Sequence, residues 1–237
     1  MESRLIIDKI SKRTKFMNDL IENRRDFLKR SSMAAIAFPF LVGCKGDILA
    51  QRSETSILSL IKKNANTSPE INWCGAIDAP DNVSWRTALT KKSDADQAIL
   101  ISGTVFQSDG KTPAPNILIY FYHTDSTGHY GRGNGEPRHG HFRGWLLTGA
   151  DGRYEFSSIK PAPYPDRVQA AHIHMTLTGT NFHEDSIDSI LFEGDKFITP
   201  LEREMAGRKG GFQPILKLEN GPNGVLRGTR DIQLWKI

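Results

Sequence analysis

The chain has 237 residues, with 31 Lys/Arg against 27 Asp/Glu and a formal charge of +4. Nine of the basic and five of the acidic residues fall within 1–43, which leaves 22 of each and a neutral remainder. No basic stripe with interleaved aromatics follows, so nucleic acid is excluded as a partner. Two cysteines, Cys44 and Cys74, are too few for a thiolate metal cluster.

The first element is a leader. Asn23-Arg24-Arg25-Asp26-Phe27-Leu28-Lys29 resembles a twin-arginine export signal. The apolar run from Ser31 to Gly43 is too short and too weakly apolar to span a bilayer permanently. It ends in Leu41-Val42-Gly43-Cys44, which resembles a lipobox with Cys44 as the lipidated first residue of the mature protein. The alternative, a basic amphipathic N-terminus with a chance Arg-Arg pair, does not explain this order of parts. Met17 is an alternative start. The expectation is a protein exported by the twin-arginine route and anchored to a membrane through lipid on Cys44, facing the periplasm or cell surface. Lys45 after the cysteine favours the outer membrane. That route carries proteins already folded, often with a metal inserted. Lipidation of Cys44 precludes a disulfide, and Cys74 is expected as a small buried apolar residue.

Residues 45–72 read as a polar tether with one short amphipathic patch, Ile57 to Ile61, long enough for one or two helical turns. Residues 71–98, with Trp73 and Trp85, read as a strap against the main domain. The leader thus occupies 1–43, tether and strap 44–98, and the core domain 99–237. Its strands are predicted at Ile99–Phe106, Ile117–Tyr122, Phe142–Leu147, Tyr154–Phe156, Ala171–Leu177 and Ile190–Asp195. Turns are signalled at Ser108-Asp109-Gly110 and Asp151-Gly152. A long glycine-rich loop runs from Ser126 to His141. Phe212–Leu218 and Gly228–Leu234 are predicted to close a hairpin across Asn220–Gly224. Many short strands with hardly any helical period predict an all-β fold, an antiparallel β-sandwich.

Within Ala171–Leu177 the alternation puts His172 and His174 on one face and Ile173 on the other. Two imidazoles side by side on a sheet face suit a metal better than a core, and Tyr164 lies close upstream. His139 and His141 alternate similarly, but in a glycine-rich loop they read as solvated. His123 reads equally as a pocket residue or a satisfied, partly buried histidine. Tyr154 reads as core.

An ordered series of short motifs then becomes specific. Gly103-Thr104-Val105, Pro115-Asn116-Ile117 and Gly128-His129-Tyr130 are followed by Phe142-Arg143-Gly144 and Asp151-Gly152-Arg153-Tyr154-Glu155-Phe156. Ile159-Lys160-Pro161-Ala162-Pro163-Tyr164-Pro165, His172-Ile173-His174 and Phe192-Glu193-Gly194-Asp195 complete it. Over about Ile99 to Lys196 the chain resembles the intradiol ring-cleavage dioxygenases. The resemblance implies a non-haem Fe(III) held by Tyr130, Tyr164, His172 and His174, with phenolate as the hard anionic donor that ferric iron favours. It also implies that a catechol-type diol displaces one tyrosinate, Tyr164, whose phenolate accepts a diol proton. Reaction with O2 then cleaves the ring between the hydroxyl-bearing carbons to a muconate-type diacid.

The family arginine three residues before the first histidine falls on Gln169, with Arg167 two residues earlier, so both are candidates for stabilising charge on the substrate. The family glutamine fifteen residues after the second histidine falls on Ser189, and a family tryptophan falls on Tyr122, expected to pack near the site. A non-catalytic, iron-retaining lipoprotein that binds ligands in the envelope is the competing reading. A zinc or copper protein built on His172 and His174 leaves both tyrosines without purpose. A homo-oligomer is left open.

Overall fold

Burial alternates along β2 (Ala98–Phe106), where Ile99, Ile101 and Val105 turn to one face and are fully buried. That period of two makes β2 half-buried, and it recurs in β5 (Arg153–Ile159), which buries Tyr154 and Phe156. The computed structural model describes residues 57–66, 73–89, 97–131 and 139–235. The leader, Cys44 and most of the tether lie outside the described residues.

The remaining strands are β1 (Arg86–Ala88), β3 (Leu118–His123), β4 (Arg143–Leu147), β6 (His172–Thr178), β7 (Asp185–Phe192), β8 (Ile215–Leu216), β9 (Glu219–Asn220), β10 (Leu226–Thr229) and β11 (Ile232–Gln233). They form two sheets. The first runs β1-β5-β2-β10-β9, with β11 also on β2; the second runs β4-β3-β6-β7-β8. The inner faces meet in a core of Ile99, Ile101 and Phe156 from the first sheet and Ile119, Phe121, Ile173, Met175 and Leu177 from the second. At its centre the Phe121 and Phe156 rings stack 4.1 Å apart. This is the expected all-β sandwich, antiparallel through its middle strands.

Other pairings are parallel. β1 pairs with β5, β8 with β7, and both β10 and β11 with β2. The predicted closing hairpin survives only as the short antiparallel β9/β10 ladder. β8, just before it, belongs to the other sheet. The strand predicted at Ile190–Asp195 starts earlier, at Asp185, and ends before the Gly194 turn. A short helix, Pro200–Met205, occupies what reads as a polar loop. Thr199 caps it, its hydroxyl accepting from the Glu202 N–H while the Glu202 carboxylate accepts from the Thr199 N–H.

The outer face of the second sheet is covered too, which is why all six residues of β3 are buried. Residues 57–62 are helical, and Leu58 and Ile61 pack with Ala76, Ala79, Leu118 and Leu147. Ala76, Ala79 and Val83, from the segment before β1, lie over the same face. Gly75 N–H and Ala76 N–H both donate to the buried Glu184 carboxylate, and Trp145 Nε1–H donates to the Gly75 carbonyl. Cys74 is buried, as expected.

Candidate metal centre

The outer face of the second sheet carries the predicted histidines. β6 alternates as expected: Ile173 and Met175 enter the core, while His172 and His174 point outward, half-buried. Tyr122 on β3 is the cross-strand neighbour of His174. Its ring stacks on that imidazole at 4.6 Å.

Two loops bring the tyrosines to this face, and they are tied together before they deliver them. Asp125 Oδ1 accepts from the backbone N–H of Thr127 and of His129, which closes a tight turn ahead of Tyr130. Within that turn Gly128 has φ +85°, and a Cβ there would lie 2.1 Å from the Pro163 carbonyl oxygen. Only glycine permits so close an approach. Ala162 N–H donates to the Asp125 carbonyl, and the Thr124 hydroxyl donates to the Ala162 carbonyl. Tyr130 and Tyr164 therefore leave adjoining backbones, and their hydroxyl oxygens meet at 2.6 Å.

The histidine nitrogens converge similarly, with His172 Nε2 3.0 Å from His174 Nε2. His172 Nδ1 lies 2.7 Å from the Ala170 carbonyl, which can only accept, so Nδ1 carries the proton and Nε2 is the bare donor atom. Burial, and then the neighbouring His172, hold the His174 imidazole down at about 3. It is neutral near pH 7, the state that ligates a metal. The Tyr164 ring meets His172 edge-on at 5.1 Å, which joins the two pairs into one cluster.

This donor set fits a ferric ion. Separations of 2.6 and 3.0 Å are those of neighbouring ligands about 2 Å from a shared ion. Two phenol oxygens with two imidazoles supply the hard anionic and borderline donors that iron takes. Among the described residues no group of three or more His, Cys, Asp or Glu side chains is placed to hold a metal, so a site with four protein ligands here takes the two tyrosines with the two histidines.

The other singled-out residues fall as follows. Tyr122 packs beside the site as expected, and Tyr154 is core, its hydroxyl donating to the Arg230 carbonyl. Arg167 and Gln169 both sit exposed on the turn that follows Tyr164, where Arg167 N–H donates to the Tyr164 carbonyl and Arg167 takes φ +54°. The structure does not bring either side chain into the four-ring cluster. Ser189 stands behind the cluster, its Oγ 3.4 Å from His174 Nδ1. His139 contradicts the solvated reading. It is buried, stacked on Tyr122 at 3.8 Å and hydrogen-bonded to the Tyr120 hydroxyl. His141 is exposed, as expected.

His123 resolves to the satisfied histidine. Fully buried, its Nδ1–H donates to the Thr124 carbonyl and its Nε2 accepts from the Ser158 hydroxyl. Burial holds it down at about 4, against an ordinary 6.5. Between these values the unfolded chain binds a proton that the folded chain does not, so stability is lost as pH falls from 6.5 through 4. The loss attributable to this group is about 3 kcal/mol. Thermal melts across that range are expected to show a shallower acid slope for His123→Gln; an unchanged slope would assign the acid sensitivity elsewhere.

The family model described as dioxygenase matches residues 79–210, more than half of the chain. The protocatechuate 3,4-dioxygenase beta chain of Burkholderia cepacia is 28% identical over 123 residues, 48% of this chain and 52% of that one. The hydroxyquinol 1,2-dioxygenase of Corynebacterium glutamicum is 30% identical over 115 residues, 42% of this chain and 37% of that one. The chain spans about half the length, or less, of these curated relatives. The solved mercury-inhibited catechol 1,2-dioxygenase of Acinetobacter sp. ADP1 superposes with a TM-score of 0.54 at 17% identity, over 98% of this chain and 84% of that one, a likeness of fold. Sandwich, motif order and family match agree: the chain belongs to the intradiol dioxygenase family.

Proposed function

We propose that the protein is a non-haem ferric intradiol dioxygenase that cleaves a catechol-type diol with O2 to a muconate-type diacid. The observation that carries this is the convergence of Tyr130 Oη with Tyr164 Oη and of His172 Nε2 with His174 Nε2 at one half-buried spot. Tyr130, Tyr164, His172 and His174 would hold the iron, which when bound supplies the Lewis-acidic, electron-accepting centre that makes a diolate reactive towards O2.

The chain's own residues do the rest. A phenolate is a good proton acceptor, so an ionised Tyr164 oxygen would take a proton from the entering diol. Tyr164 suits that role because it is half-buried on a loop bounded by Pro163 and Pro165, with the exposed 165–169 turn beyond it. Tyr130, gripped by the Asp125 turn, stays in place. The imidazoles of His172 and His174 hold their orientation through the Ala170 carbonyl and Ser189. Arg167 and Gln169, at the rim beside Tyr164, are the groups from which charge stabilisation of a bound diol would come. The motif order of residues 23–44 further supports export by the twin-arginine route with a lipid on Cys44.

The test is colour, then turnover. Protein supplied with ferric iron is expected to be red to purple from tyrosinate-to-iron charge transfer, and to convert catechol, protocatechuate or hydroxyquinol under O2. Tyr130→Phe and Tyr164→Phe should each shift or weaken the colour. A colourless preparation would sink the reading. Colour that persists without product for all three diols would favour a ligand-binding lipoprotein, the reading supported by Gln169 and Ser189 standing where arginine and glutamine are expected.

A further inference from the structure

His139 is 4% exposed, although its loop is polar and glycine-rich. A histidine so placed must satisfy its ring nitrogens and cover its faces. Nδ1 meets the hydroxyl of Tyr120, itself 1% exposed. The ring lies nearly parallel to Tyr122, at 11° and 3.8 Å. Tyr122 in turn stacks on His174 and tilts against Tyr130 at 6.0 Å. His139 is thus the far member of a stack that reaches both a histidine and a tyrosine of the candidate centre. Its backbone does the same. The next residue, Gly140, has φ +70°, and a Cβ there would lie 1.6 Å from the Tyr130 carbonyl oxygen. The chain leaving His139 therefore lies flat against the chain carrying Tyr130.

We propose that His139 is a positioning residue of this centre. Anchored on Tyr120, it holds Tyr122 as a plate against His174 and pins the Tyr130 backbone, so that the Tyr130 hydroxyl is delivered to Tyr164. The inference rests on the metal reading of the four-ring cluster. Through Tyr122 it acts on orientation, as outer partners of metal ligands do, and such partners command about 10–100-fold in metal affinity.

The test compares full-length wild type, His139→Leu and Tyr120→Phe, each loaded with ferric iron. The readouts are the charge-transfer band, iron affinity by chelator competition, and melting of the iron-free protein. His139→Leu fills the volume but has neither flat face nor acceptor, and is expected to lose about 10–100-fold in iron affinity with a displaced band. Tyr120→Phe keeps every ring and removes only the hydroxyl that anchors His139. It is expected to fold, and to move band and affinity the same way by less. That milder variant decides the matter even if His139→Leu does not fold. A coloured wild type with band and affinity unchanged in Tyr120→Phe would overturn this inference alone; a colourless wild type would overturn the metal reading and this inference with it.

Discussion

His174→Ala is expected to weaken ferric iron binding by more than about 100-fold, beyond the range commanded by outer partners of a ligand, and to abolish colour and diol cleavage together. Its Nε2 sits 3.0 Å from that of His172. Burial already keeps it neutral, so its nitrogen reaches a metal without first releasing a proton to solvent. The fold should tolerate the change. His174 is half-buried on the outer face of β6, outside the core formed by Ile173 and Met175, so the iron-free variant is expected to melt close to wild type. Iron should raise the wild-type melting temperature by mass action and leave that of His174→Ala unmoved. A variant that keeps its colour would show that the histidine pair is not the ligand set.

Glu184→Ala is expected to cost about 3–5 kcal/mol, lowering the melting temperature by roughly 8–15 °C for a domain of this size. Its carboxylate is 3% exposed. It accepts from Gly75 N–H at 2.8 Å, Ala76 N–H at 3.1 Å and the Thr176 hydroxyl at 2.7 Å. Alanine strands three buried donors at once, and hydrogen bonds to a charged acceptor are the costly ones to lose. Glu184→Gln keeps one acceptor oxygen and should lose about half as much. The damage should also reach the candidate centre. Gly75 lies so tightly on the Tyr120 ring that a Cβ would fall 2.3 Å from it, and Tyr120 anchors His139. Chelator competition on the iron-loaded variant is therefore expected to show weakened binding at temperatures where the protein is still folded. Unchanged melting would mean that the Glu184 bonds to Gly75, Ala76 and Thr176 contribute nothing to stability.

What could be read from the sequence was whatever has a short period or a fixed motif. The alternation of His172-Ile173-His174 is local and came out as expected, because a strand's pleat alone decides which side chains share a face. Tyr164 was legible as the tyrosine close upstream of the histidine pair, but Tyr130, 34 residues before it, was legible only through the resemblance. Their meeting depends on the Gly128–Pro163 contact, which no periodicity announces. His139 was misread because its loop is polar, while its burial comes from Tyr120 and Tyr122 on a strand 17–19 residues earlier in the chain. The start of β7 was missed because Asp185, Ser186 and Asp188 look like loop, although Asp188 is occupied in bracing the backbone N–H groups of Gly207 and Lys209. The helix at Pro200 was within reach, since Thr199-Pro200 followed by Glu202 is a capping signature. The parallel pairings were not, because register between distant short strands is settled by tertiary packing.

Those parallel pairings bear on how the chain comes to fold. β2 sits in the middle of its sheet only because residues 226–233 arrive to pair along its second edge, more than 120 residues after β2 itself. β7 likewise waits for Ile215 and Leu216. Contacts so distant in sequence make for slow folding, and during synthesis β2 emerges early with that edge open, a template for pairing with another chain. Neither sheet can close until the last-named strands have left the ribosome. The nascent protein therefore passes through a stage, bounded by translation speed, in which crowding and chaperone supply decide between the sandwich and an aggregate.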